Sequence, residues 1–200
     1  TAMELGEGSS GVYWQLVTVR ERRGCLEEAL ATARQAIACL PDDAKFKALY
    51  GRLLVKSGDY EQAVKVLRSA SQKSPELPAP REHLIDAIAR QGAYDAALVE
   101  SRQATEIFAN SPRLAFLRGK LALQCGHLEE ARDLLRRTVQ LDPGHLAAHR
   151  LLVQALVKAG EFAEAVALVK HMRNTLPAGD DLTAMERLIE EHAPHTSALS

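Results

Sequence analysis

His145 and His149 stand four residues apart, a spacing that can set two imidazoles on one helix face as metal ligands. The metal reading goes no further. His145 falls in a turn ahead of the helix, no glutamate follows in HExxH order, and no third ligand is evident, so both are read as solvated surface histidines. Cys25, Cys39 and Cys125 are odd in number and form no CxxC pair, which argues against a disulfide framework or a zinc site and for inert, reduced thiols. The sequence has no GxxxxGK[ST] or GxGxxG phosphate loop and no GxSxG elbow. The acid pairs Glu27-Glu28, Glu129-Glu130 and Asp180-Asp181 read as helix starts, where negative charge complements the helix dipole. The expectation is therefore of no catalytic residues, no metal site, no cofactor and no enzyme.

Composition says what kind of scaffold carries these residues. Of 200 residues, 46% are apolar and only 4% aromatic, so the core is built from Ala, Leu and Val, which suits close-packed helices better than sheets. A formal net charge of -1 with a pI near 6.6 gives the molecule no overall field for nucleic acid or an anionic membrane surface. No run approaches the roughly 18 apolar residues of a membrane-spanning helix, and no basic stretch leads into an apolar one at the start of the chain. Neither a nucleic-acid partner nor direct membrane insertion is expected, and the compartment stays open between cytoplasm and periplasm.

The organising feature is a repeat. Gly24, Gly58, Gly92, Gly126 and Gly160 follow one another at intervals of 34 residues. Five residues after each stands an alanine: Ala29, Ala63, Ala97, Ala131 and Ala165. Seventeen after the glycine comes Pro41, Pro75, Pro143 or Pro177; the third repeat has Ala109 there and Pro112 three residues later. Between these marks apolar residues recur at helical spacing, as in Leu49, Leu53 and Leu54 before one glycine and Val64, Leu67 and Ala70 after it. Each unit therefore reads as two short helices. The glycine sits where the first must stop and the chain reverse, which favours positive φ, and the proline ends the second by lacking the backbone donor. The alanine, and Gly51 and Gly119 in their own first helices, keep side chains small where the two helices approach closely.

With Tyr50-Gly51, Gly58-Asp59-Tyr60, Ala63, Ala70 and Pro75 in one unit, and Gly119, Gly126, Leu128, Ala131 and Leu141-Asp142-Pro143 in another, the chain resembles the tetratricopeptide repeats. The resemblance covers about residues 10 to 177. It implies an all-α, right-handed superhelical solenoid of about five repeats, at 10-43, 44-77, 78-111, 112-145 and 146-179. Arg20 and Arg81 depart from the pattern, because the family usually places an apolar residue there. Residues 1-9 read either as a flexible leader or as the end of a preceding repeat, in which Ala2 aligns with Ala36 and Ala70, and Leu5 with Leu141. At the other end Asp180-Asp181 opens a capping helix over 180-193. Leu182, Met185, Leu188 and Ile189 form its inner face, with Glu186, Arg187, Glu190 and Glu191 outward. The next glycine would be due at 194, where Pro194 stands, and 194-200 reads as a disordered tail.

In that family the first helices of successive repeats line a concave groove that receives an extended peptide or a partner helix. The register then assigns the groove Trp14, Thr18, Glu21 and Arg22 from the first repeat, and Lys45, Ala48, Arg52 and Lys56 from the second. The third gives Glu82, Asp86 and Arg90; the fourth Arg113, Phe116, Lys120 and Gln124; the fifth Arg150, Gln154 and Lys158. Basic residues outnumber acidic ones nine to three along this line, and Trp14 and Phe116 add aromatic anchors. The expectation is an interaction module or scaffold that takes an acidic extended segment carrying one or two apolar side chains. Lys and Asn places that grip chaperone tails in some members hold Trp14 and Thr18 here, so that ligand is not expected. The alternative is an assembly or substrate-presenting domain of a larger enzyme, or of an envelope export or secretion machine. That alternative, and the reading of residues 1-9 as the end of a preceding repeat, would make the chain part of a longer protein or a multiprotein complex.

Overall fold

The computed structural model describes residues 6-175 and 180-193, and over them the chain forms eleven α-helices and no strand. Ala2, Leu5, Pro177 and the 194-200 tail lie outside the described residues. The helices are α1 (Gly6–Arg22), α2 (Leu26–Cys39), α3 (Ala44–Ser57), α4 (Tyr60–Lys73), α5 (Pro78–Arg90) and α6 (Tyr94–Ile107). They continue with α7 (Pro112–Gln124), α8 (Leu128–Leu141), α9 (Leu146–Ala159), α10 (Phe162–Thr175) and α11 (Asp180–His192). Residues 6-9, which the sequence allowed as leader, are helical and open α1.

Two compact units divide the chain, Thr1–Ala104 and Thr105–Ser200. In the first, α1 packs on α2, α2 on α3, α3 on α4, and α5 on both α3 and α4. In the second, α7 packs on α8, and α9 on α7, α8 and α10. Helix α11 lies against α9 and α10, burying Leu182, Met185 and Ile189.

Each hairpin turns on its glycine. All five have φ between 77° and 86°, in the left-handed region, and no other described residue has positive φ. Around four of them the same pair of backbone bonds closes the first helix. In the second hairpin Asp59 N–H donates to Leu54 O at 2.9 Å, and Gly58 N–H to Val55 O at 3.3 Å. That pair is a Schellman closure, and the residue after the glycine is already the N-cap of the next helix. Helix stop, reversal and helix start are thus compressed into two or three residues.

The prolines do as their spacing implies. Pro41, Pro75 and Pro143 each stand two residues beyond the end of a second helix. In the third repeat the proline acts differently. Pro112 opens α7, with the Ser111 hydroxyl accepting from Leu114 N–H at 3.2 Å as its cap. Helix α5 likewise begins on Pro78 and has no side-chain cap; Pro78 and Pro80 remove two of the amide donors that a cap would have to satisfy.

Inside the hairpins, the five register alanines are completely buried. A Cβ on Gly51 would overlap the Leu67 side chain, and one on Gly119 would stand 3.0 Å from Leu135 Cγ. Leu67 and Leu135 lie sixteen residues after these glycines, and the same offset pairs Val17 with Ala33, Ile85 with Ser101 and Val153 with Val169. All ten residues are buried. Hairpins two and four combine no side chain with a large one, whereas the first and third reverse the assignment. The pairs conserve volume at one packing point.

The arginines that broke the family pattern are each held by an acid of their own hairpin. Arg20 donates to Thr32 Oγ1 and lies 3.3 Å from Glu28, and Arg81 lies 3.6 Å from Glu100. Arg118 stands where other repeats have Leu16, Tyr50, Leu84 and Leu152. It donates to Glu130 at 2.7 and 2.9 Å, and to Thr105 of α6 at 2.9 Å. An acid on the second helix thus takes the place of apolar packing. Outside the hairpin core, Val12, Leu16 and Val19 of α1 are exposed, whereas Phe46, Tyr50 and Leu53, 34 residues on, are buried where α3 packs on the first hairpin.

Two outcomes follow from this packing. Gly126→Ala should lose about 1–2 kcal/mol through backbone strain alone, since a Cβ there meets nothing within 4 Å, and Gly126→Asn should lose less; equal losses in urea unfolding would contradict the turn assignment. Gly51→Val should cost about 1–3 kcal/mol by overpacking. Adding Leu67→Ala recreates the Val17 and Ala33 solution and should recover much of that loss, whereas simple additivity of the two changes would refute volume compensation.

Candidate functional site

The groove residues named from the register fall on first helices in both units. In the first unit Trp14 is 44% exposed, and its ring meets that of buried Phe46 edge-on, with centroids 5.7 Å apart. Beside it lies a predominantly apolar pocket of about 420 Å³. Trp14 of α1, Ala48 and Leu49 of α3, and Leu77 and Pro80 at the start of α5 line it, and Lys45 and Arg52 bring cationic groups to it. Three successive repeats therefore contribute to one site.

Charge on this face is partly neutralised from within. Glu21 of α1 accepts two bonds from the Arg52 guanidinium, at 2.8 and 2.6 Å, and a third from the Lys56 ammonium. Burial pushes the Glu21 carboxyl up, but its bonds to Arg52 and Lys56 outweigh that and hold it below the usual glutamate range. The carboxylate is therefore present at neutral pH and is lost only as pH falls through that lowered value. Arg90 lies 3.4 Å from Asp86 one turn away. Lys45 is exposed and Glu82 half-buried.

In the second unit Lys120, Arg150, Lys158 and Arg113 are exposed, and Gln154 is half-buried. None of the groove residues that the register assigns to this unit is acidic. Phe116 stacks on His145, with ring centroids 4.4 Å apart.

Both histidines correct the surface reading. His149 is 3% exposed, with its Nε2 2.9 Å from Pro143 O, and His145 accepts from Ala148 N–H through Nδ1 at 3.2 Å as the cap of α9. They lock the turn into α9, His149 through the Pro143 carbonyl, and His145 through the Ala148 amide and its ring contact with Phe116. Among the described residues no group of three His, Cys, Asp or Glu is placed to hold a metal. Cys25, Cys39 and Cys125 are not joined in a disulfide. Among the described residues no helix is long and apolar enough to cross a membrane.

The acid pairs have a second role that sequence reasoning missed. Glu27-Glu28 and Glu129-Glu130 do lie in the first turns of α2 and α8, but Glu28 and Glu130 also hold Arg20 and Arg118. Between repeats, Arg132 pairs with Glu161, and Arg136 reaches Glu164 at 2.5 Å. Leu49, Leu77 and Pro80 were missed, and Ala48 was assigned to the groove by its register without the pocket that its small size leaves open.

Comparison with known proteins places this geometry. The family model described as tetratricopeptide repeat matches residues 22–82, 54–121 and 122–188. The TPR repeat-containing protein YpiA of Bacillus subtilis (strain 168) is 25% identical over 175 residues, 87% of this chain. The match spans 41% of that relative's length. Among solved structures, pilF of Pseudomonas aeruginosa is similar with a TM-score of 0.76 at 17% identity, over 90% of this chain and 83% of that one. YrrB, described as a TPR protein with an unusual peptide-binding site, aligns with a TM-score of 0.65 at 19% identity, over 88% and 90% of the two chains. These likenesses show an all-α repeat-solenoid class of fold. On the glycine register and the family match together, the chain belongs to the tetratricopeptide repeat family.

Proposed function

We propose that the chain is a protein-interaction module that holds an extended, acidic peptide segment on the exposed face of its first helices. The observation that carries this reading is the apolar pocket beside Trp14 with the exposed cation Lys45 at it in the first unit; in the second unit, taken by itself, Lys120, Arg150 and Lys158 are exposed on the first helices. Apolar burial supplies affinity, and the cations steer and orient an anionic strand. The family's use as a protein-binding scaffold supports the reading, as does the peptide-binding site in the description of YrrB. In an assembly, the same face would serve as the docking element of a longer protein.

Arg52 is a poor place to test this, because Arg52→Glu would set a carboxylate against Glu21 and damage the join of α1 to α3. Lys45→Glu combined with Lys120→Glu leaves that join intact. Binding of a fluorescein-labelled Glu/Asp-rich peptide, read by anisotropy at low salt, should weaken about tenfold, in line with loss of steering and orientation by surface cations. The circular dichroism melt should stay unchanged. Unaltered affinity in the double variant would sink the acidic-partner reading.

A further inference from the structure

The pocket beside Trp14 exists because of one small residue. Position 48 recurs in the other repeats as Trp14, Glu82, Phe116 and Arg150, so four of the five first helices carry a large side chain there and the second carries alanine. In the second unit the equivalent Phe116 is stacked on His145. Beside Ala48 the space stays open, floored by Leu49 and Pro80 and walled by Trp14, whose indole is braced edge-on by Phe46. Ala48 and Leu49 are 4% and 5% exposed, so the base of the pocket belongs to the folded core. Its volume of about 420 Å³ suits a bulky side chain. Lys45, three residues before Ala48 and one helical turn away, is exposed beside the opening.

We infer that this pocket is a specificity site that takes one bulky aliphatic or aromatic side chain of the bound peptide, with a carboxylate next to it paired to Lys45. The inference rests on the proposed binding of an acidic segment and names the residue that such a segment must carry. Trp14, preorganised by Phe46, supplies contact area at small entropic cost. Arg52, engaged by Glu21, borders the site as a fixed wall, and Lys45 is an exposed cation beside it.

The test uses the whole chain and two synthetic peptides, a Glu/Asp-rich decamer with a central Leu and the same decamer with Ala. Trp14 is the sole tryptophan of the sequence, so its emission reports the pocket directly. The Leu peptide should bind about tenfold more tightly than the Ala peptide, as burial of three further carbons at a partly open site implies. It alone should shift Trp14 emission to the blue. Ala48→Phe, which copies the residue that the fourth repeat tolerates at this register, should bring the Leu peptide down to the affinity of the Ala peptide. Charge-dependent binding of both peptides with no Leu preference and no emission shift would overturn the pocket while leaving the groove reading in place. A Leu preference that survives Ala48→Phe would overturn it as well. Binding of neither peptide would overturn the groove reading and the pocket together.

Discussion

The molecule depends on a backbone constraint: within two or three residues the chain must end one helix, reverse and cap the next. A left-handed residue makes the reversal, and L side chains strain there, so glycine stands at 24, 58, 92, 126 and 160, with the six-to-one bond closed at four of the five. Because these turns recur at a fixed interval, each hairpin takes its place in a 34-residue register. The buried alanines five residues later and the helix-ending prolines beyond them follow from that register.

Within it the sequence is free to solve each packing point in different ways. Gly51 against Leu67 and Val17 beside Ala33 fill equivalent spaces from opposite sides. The arginines at 20, 81 and 118 replace an apolar contact by a charged one, and each depends on an acid across its own hairpin: Glu28, Glu100 and Glu130. These acids lie eight to nineteen residues away, inside one hairpin, so a substitution and its compensation stay local. Joins between repeats are made separately, through Glu21 with Arg52 and Lys56, and through Arg132 and Arg136 with Glu161 and Glu164.

What could be read from the sequence divides along the same line. The turn glycines, the close approach at Gly51 and Gly119, and the inner face of α11 were legible because each obeys a strict local or periodic demand. The clamp on Glu21 was not, since a charge count along a face treats each residue as independent and 31 residues separate Glu21 from Arg52. His149 was read as a surface residue because a polar ring on a helix carries no apolar periodic signal; it is buried with its Nε2 against a carbonyl six residues away, at Pro143. The pocket beside Trp14 was illegible for a related reason. It arises from the absence of bulk at Ala48, and emptiness becomes visible only when three repeats are assembled around it.

In the proposed reading the fold divides its labour: second helices and turns hold the register, and first helices present their differing side chains to a partner. A map of amide chemical shifts on adding an acidic peptide containing leucine tests that separation most directly. The largest changes should fall in α1, α3 and the start of α5, with smaller ones in α7 and α9. Changes concentrated in α2, α4 and α8, or none at all, would contradict it.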